Sequence, residues 1–161
     1  MKISKTIRII QFCLLFIMLS CNNNKGKISE VILKNDRGED EIAILQNYPL
    51  QSGTTFYPLT HQDIKLIEQI LKKEVDSLQN IPDISRTKKP ENLGNYIRQY
   101  LGYQNADGDN EVFILCVSKE RKYPMWREEL ILTIGGGNAV FKGAINLSKK
   151  KSLGFSINEP L

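Results

Sequence analysis

The chain has 161 residues, of which 41% are hydrophobic and 25% are charged, and its formal net charge is +4. This length is about that of one domain, and such a domain can bury enough of its surface to fold without a disulfide or metal. Three of the 22 basic residues lie in the first eight positions, and the other 19 nearly balance the 18 acidic residues. The charge therefore gives no argument for nucleic-acid binding, and we expect no nucleic-acid partner.

Residues 1–20 have the features of a bacterial secretion signal. Three cations come first: Lys2, Lys5 and Arg8. An apolar run follows over residues 9–19, interrupted only by Gln11. Eleven residues are too few for a membrane-spanning helix, which needs about 20, but they are enough for a signal peptide.

The stretch Met18-Leu19-Ser20-Cys21 resembles the lipobox of bacterial lipoproteins. The resemblance implies cleavage before Cys21, a diacylglycerol thioether on its thiol and often an acyl chain on the new amino group. Two or three chains give stable anchoring to a membrane. An ordinary cleaved signal peptide and an uncleaved anchor are the alternatives.

Residues 21–27 are predicted to be the lipidated cysteine and a polar tether, and residues 28–161 a single domain. The tether contains no apolar side chain after Cys21. Asn22 follows the predicted lipidated cysteine, at the position where an Asp retains lipoproteins in the inner membrane of some bacteria. The resemblance therefore indicates a protein anchored to the outer membrane, on its periplasmic or surface face, rather than to the inner membrane.

The first predicted element of the domain is a β-hairpin. Residues 28–34 and 41–46 are rich in β-branched side chains, and Asn35-Asp36-Arg37-Gly38 between them has turn chemistry. A loop containing Pro49, Gly53 and Pro58 follows.

An amphipathic helix is predicted next. Thr60 is a candidate N-cap, with Asp63 three residues later, and Leu59 and Ile64 are spaced to form a hydrophobic staple. The apolar stripe recurs at helical spacing: Ile64, Ile67, Leu71, Val75 and Leu78.

The rest of the chain has the patterns of strands. Alternation over residues 96–103 predicts one strand, and the six consecutive apolar positions of "EVFILCVS" predict a central strand covered on both faces. "ELILTI" and "AVFKGAINL" are predicted to pair across a glycine turn, and "LGFSIN" continues the sheet. We therefore predict an α+β fold, with one helix packed on an antiparallel β-meander and an N-terminal β-hairpin.

Two resemblances follow from these segments. A helix before a four-stranded meander is similar to the cystatin-like arrangement, but residues 99–102 lack the spacing of the Gln-x-Val-x-Gly inhibitory loop. The segments "YIRQYLGYQNADGDNEVFI" and "GGGNAVFKGAINLSKKKSLGFSIN" also resemble those of small, uncharacterised bacterial envelope lipoproteins, and the similarity covers most of residues 95–158. Neither resemblance implies an activity.

Catalytic and metal-binding residues are scarce in the sequence. His61 is the only histidine, and Cys116 is the only cysteine after the predicted lipidation site. We therefore expect no Ser-His-Asp or Cys-His set, no metal site and no cofactor. Cys116, in an apolar strand, is expected to be a core residue.

Two further patterns suggest ligand loops but have simpler interpretations. Asn105, Asp107, Asp109 and Glu111 alternate around a glycine without matching a calcium loop, and Asp107-Gly108 is a strong hairpin signal. The glycine run at residues 135–137 is not followed by a helical pattern, so we predict a hairpin turn with positive φ rather than a phosphate loop.

The connector over residues 119–127 is the best candidate for recognition. It combines cations with aromatic side chains: Lys119, Arg121, Lys122, Tyr123, Trp126 and Arg127. Trp, Tyr and Arg dominate binding hot spots. In the alternative interpretation, Trp126 folds back and caps an open end of the core.

These features predict a membrane-anchored envelope lipoprotein that acts as a non-catalytic binding module. A specific version is an immunity or inhibitor lipoprotein that neutralises a toxin or hydrolase, so an envelope protein is the expected partner. The alternative is an envelope enzyme that cleaves glycans through carboxylates alone, which would need two acids facing each other across a cleft.

Overall fold

The structure is a computed structural model, and it describes residues 42–46, 52–82, 85 and 89–158. One α-helix and a six-stranded mixed sheet make up an α+β domain. In chain order the elements are β1 (Ile42–Ile44), β2 (Thr55–Phe56), α1 (His61–Gln79), β3 (Tyr96–Gln104), β4 (Asn110–Ser118), β5 (Val140–Asn146) and β6 (Lys151–Ile157). Short 3₁₀ helices precede β3 at Leu93–Asn95 and β5 at Gly137–Ala139.

The last four strands form an antiparallel meander, as predicted, but without the strand that was predicted at residues 129–134. β3 pairs with β4, β4 with β5 and β5 with β6. Gly108 turns the chain between β3 and β4 with a φ of +84°, as the Asp-Gly signal predicts. β4 lies between two neighbours and its side chains are buried on both faces, which confirms the prediction of a central strand.

The other edge of β3 differs from the prediction of an antiparallel sheet. β1 pairs with β3 in parallel, Ile44 opposite Tyr100, and β2 pairs antiparallel with the last two residues of β3. The predicted partner of β1 at residues 28–34, like the signal and tether, lies outside the described residues. The predicted strand at residues 41–46 is therefore present as β1, but the predicted hairpin is not observed.

Helix α1 begins as its sequence predicts. The Thr60 hydroxyl accepts a hydrogen bond from the Asp63 amide at 3.2 Å, and the Asp63 carboxylate accepts one from the Thr60 amide at 2.8 Å. This reciprocal pair satisfies two backbone donors that the first turn leaves without helical partners. Leu59 and Ile64, the predicted staple residues, belong to one buried cluster.

The main core lies between α1 and one face of the sheet. The helix contributes Ile64, Ile67, Leu71 and Val75, all at most 2% exposed, whereas Leu78 at the end of the predicted stripe is only partly buried. The sheet contributes alternate residues of four strands: Ile42, Ile44, Tyr96, Tyr100, Val112, Ile114, Cys116, Phe141 and Ile145. The Tyr96 and Phe141 rings meet edge to face, with centroids 4.9 Å apart. This face of the sheet is referred to below as the helix face.

The opposite face of the sheet is covered by a long loop, residues 119–136, between β4 and the second 3₁₀ helix. The predicted strand at residues 129–134 is wrong, because no ladder forms there. Ile131 is instead buried against Leu115, Val117 and Val140. The glycine run has the predicted positive φ at all three positions, but it leads into a 3₁₀ helix rather than joining two strands.

Candidate functional site

One buried amide side chain positions the long loop. Gln99 lies on β3, is 1% exposed and points away from the helix face. Its Nε2 donates to the carbonyls of Trp126 at 2.5 Å and Glu129 at 2.7 Å, and its Oε1 accepts from the Ile131 amide at 2.9 Å. One side chain thus replaces the backbone ladder that a strand at this position would have supplied.

Apolar packing adds to this attachment. Trp126 and Leu130 pack against two buried clusters, one around Leu115 and Val117 and the other formed by Ala43, Leu45 and Leu101. Trp126 is therefore partly buried, and it packs against the cluster that contains Ala43 of β1. Its partial burial does not decide between recognition and capping of the core, which the thermal-unfolding test in the Discussion separates.

A cation–π contact lies at the outer side of Trp126. The Arg127 guanidinium carbon is 4.5 Å from the centroid of the Trp126 ring. Such contacts contribute about 0.5–1 kcal/mol at exposed sites. The contact fixes a cation and an aromatic ring as one unit on the loop surface.

Two adjoining grooves share Tyr123, Pro124 and Trp126 in their linings. The first, here called the basic groove, has a volume of about 420 Å³ and is lined by Ile97, Lys119, Arg121, Lys122, Tyr123, Pro124 and Trp126. The second, here called the apolar groove, has a volume of about 350 Å³ and is lined by Tyr123, Pro124, Met125, Trp126, Glu129, Leu130, Ile131 and Leu132. Cationic side chains are present in the lining of the first groove only, so an anionic group is better matched there than in the second.

The structure brings the predicted recognition residues together. Five of the six line the basic groove, and the sixth, Arg127, stacks on Trp126. Their role in recognition stays a prediction. Gln99, which orients them, was not singled out from the sequence, although a polar residue at an inward position of an alternating strand is a signal that could have found it.

A second polar cluster is buried beneath α1 on the helix face. The Tyr100 hydroxyl donates to the Glu68 carboxylate, and the Arg98 Nε lies 3.5 Å from the same oxygen. Burial, and secondly the charge of Glu68, raise the pKa of Tyr100 well above its usual value. Burial also raises the pKa of the Cys116 thiol, which disfavours its thiolate form.

The β3–β4 turn and the β5–β6 turn are linked by polar side chains. Asn146 Nδ2 donates to Asp109 at 3.0 Å and to Glu111 at 3.1 Å, and Lys149 Nζ lies 2.5 Å from Asp109. The hydrogen bond from Lys149, followed by that from Asn146, lowers the pKa of Asp109. These bonds hold two turns together, in keeping with the hairpin interpretation of the acidic alternation.

The remaining candidates lie apart from these clusters. His61 is exposed in the first turn of α1, and Cys21 lies outside the described residues. Among the described residues, no three His, Cys, Asp or Glu side chains come close enough to hold a metal ion. Within that same part of the chain, no helix has the length and apolar character to span a membrane.

The chain matches no protein-family model, and no curated protein or solved structure is significantly similar to it.

Proposed function

We propose that the chain is a bacterial envelope lipoprotein, anchored through lipid on Cys21, whose domain is a non-catalytic binding module. The lipobox resemblance supports the anchor. Asn22, in place of the Asp that retains some lipoproteins in the inner membrane, favours the outer membrane. The single observation that carries the binding role is the convergence of five predicted recognition residues on one groove. A rigid sheet that presents a cationic and aromatic loop is a common arrangement for recognition.

The partner expected from this surface is acidic. Three cations of the basic groove, Lys119, Arg121 and Lys122, would speed encounter with a negatively charged surface, and Trp126 would supply an apolar anchor. An immunity or inhibitor role, in which the domain neutralises a toxin or hydrolase of the envelope, is the specific version of this proposal.

The alternative, a glycan hydrolase, would need a free acid and a second carboxylate across a cleft. The neighbouring acids Asp109 and Glu111 both accept hydrogen bonds from Asn146, which favours a structural role for them. The binding module is therefore the function that the described geometry supports best.

The finer description of the fold is also a proposal. A long helix packed on the meander of β3 to β6 supports a cystatin-like arrangement. The parallel pairing of β1 with β3 extends the sheet beyond the four antiparallel strands of that arrangement. We further propose that residues 28–34 pair with β1 as the first strand of the hairpin, since their pattern is that of a strand.

The anchor is tested by replacing the lipidated side chain. Cys21→Ala should abolish labelling with a radioactive fatty acid and leave uncleaved precursor, because both steps act on this cysteine. Cys116→Ala is the matched control, since that thiol is buried in the core. Normal maturation and labelling of Cys21→Ala would refute the anchor.

The binding role is tested by affinity capture from detergent-solubilised envelopes with the mature lipidated chain as bait. We expect a stable partner that is lost when Arg121→Glu and Lys122→Glu reverse the charge of the basic groove. Lys72→Glu with Lys73→Glu on the exposed side of α1 is the control. Equal capture by all three baits would contradict the role of the groove, and glycan turnover without a partner would support the hydrolase.

A further inference from the structure

Two large apolar side chains of the long loop stand almost fully exposed. Leu132 is 81% exposed and Ile134 is 92% exposed, whereas the next most exposed large apolar side chain among the described residues, Leu153, is 48% exposed. Scattered exposed apolar residues need no explanation, but two of them only two positions apart on one loop indicate an interaction surface. Residues 132–134 are called the tip below.

The tip is held in this conformation by the end of β6. Asn158 Nδ2 donates to the Thr133 hydroxyl at 3.2 Å and to the Gly135 carbonyl at 2.9 Å. The polar side chain of the tip is thus bonded to the body of the domain, while the apolar ones on either side of it are exposed. Gly135 then turns the chain with a φ of +70°, a conformation that favours glycine.

A cation lies beside this apolar tip. The guanidinium of Arg121 lies against Gly136, near the end of the loop. A Cβ atom placed on Gly136 would stand 3.2 Å from one of its nitrogens. Leu132 also lines the apolar groove together with Met125, which is 47% exposed. Three glutamates of the same loop offset part of its positive charge: Glu120, Glu128 and Glu129. Apolar contact would therefore supply most of the affinity of the tip for a partner surface.

We propose that the tip inserts into the surface of a lipid bilayer, with Leu132 and Ile134 among the acyl chains and Arg121 at the level of the phosphates. A pair of exposed aliphatic side chains suits a fluid bilayer, which needs no matching concave surface. Arg121 fits the phosphates because its guanidinium recognises such oxygens by paired hydrogen bonds. This docking rests on the lipid anchor of the proposed function.

The length of chain between Cys21 and β1 favours this occupant. Residues 22–41 could extend over roughly 70 Å at most. A connection of that length does not by itself determine how the domain is oriented on the membrane. Tethering gives the bilayer a high effective concentration, so a weak second contact is enough to orient the domain.

The native probe for this docking is Trp126, the only tryptophan of the chain, which lines the apolar groove with Leu132. The mature lipidated protein is reconstituted in vesicles of phosphatidylethanolamine and phosphatidylglycerol whose acyl chains carry bromine, a quencher of tryptophan fluorescence. We expect strong quenching in the wild type. The double variant Leu132→Ser with Ile134→Ser should lose it several-fold while its thermal unfolding is unchanged, and Leu153→Ser should behave as the wild type.

Flotation of the same vesicles separates this inference from the anchor. Protein that floats with the vesicles but is not quenched refutes the docking alone, as expected if a protein partner or a second copy covers the tip. Equal quenching of the wild type and the double variant also refutes it. Protein that does not float refutes the anchor, and the docking with it.

Discussion

The two faces of the sheet are covered in different ways. On the helix face, α1 contributes four side chains at regular helical spacing, all at most 2% exposed. On the opposite face, the long loop is held by one buried amide, Gln99, and by partly buried side chains such as Trp126. Periodic burial makes the first face a stable core, whereas irregular attachment leaves the second face able to present polar, aromatic and apolar groups together.

The first test of this contrast is a cavity on the helix face. Leu71→Ala should lower the free energy of unfolding by about 2–5 kcal/mol, because Leu71 is fully buried in the main core. Lys72→Ala, on the exposed side of the same helix turn, should change it by less than about 0.5 kcal/mol. Chemical denaturation of the two variants measures both values, and equal losses would mean that the stripe is not the buried side of α1.

The second test removes the bond that holds the loop. Gln99→Ala deprives two carbonyls and one amide of the long loop of their partner, and we expect a loss of about 1–3 kcal/mol in stability. Hydrogen exchange at the Ile131 amide should accelerate, while exchange in α1 changes less. Gln69→Ala on the exposed side of α1 is the control. Unchanged exchange at Ile131 would show that packing, rather than Gln99, holds the loop.

The same contrast explains how far the sequence could predict the fold. The helix, its cap, the central strand and the Asp-Gly turn each leave a local and periodic signal, and each is found in the structure. The strand predicted at residues 129–134 is wrong although "ELILTI" has strand composition. Ile131 is buried there without ladder pairing, because Gln99 meets the backbone groups around it. That contact joins residues 32 positions apart, so no local pattern contains it.

The pairing of β1 could not be predicted from the sequence for a similar reason. Its sequence indicates a strand, but its parallel pairing with β3 joins residues 56 positions apart, Ile42 and Arg98. For the candidate site, composition was enough to select residues 119–127 but not to place them. The grooves exist because Gln99 and the partly buried aromatic side chains hold the loop against the sheet.

The central claim, that the connector recognises a partner, is tested most directly on Trp126→Ala by measuring thermal unfolding and partner affinity on the same purified variant. Because Trp126 is only partly buried, we expect its melting temperature to fall by less than that of Leu71→Ala. Affinity for the captured partner should fall by about 2 kcal/mol or more, roughly thirtyfold, with the variant fully folded at the temperature of the assay. A drop of many degrees in melting temperature, with binding lost only where the variant unfolds, would contradict the claim and leave Trp126 as a residue of the core.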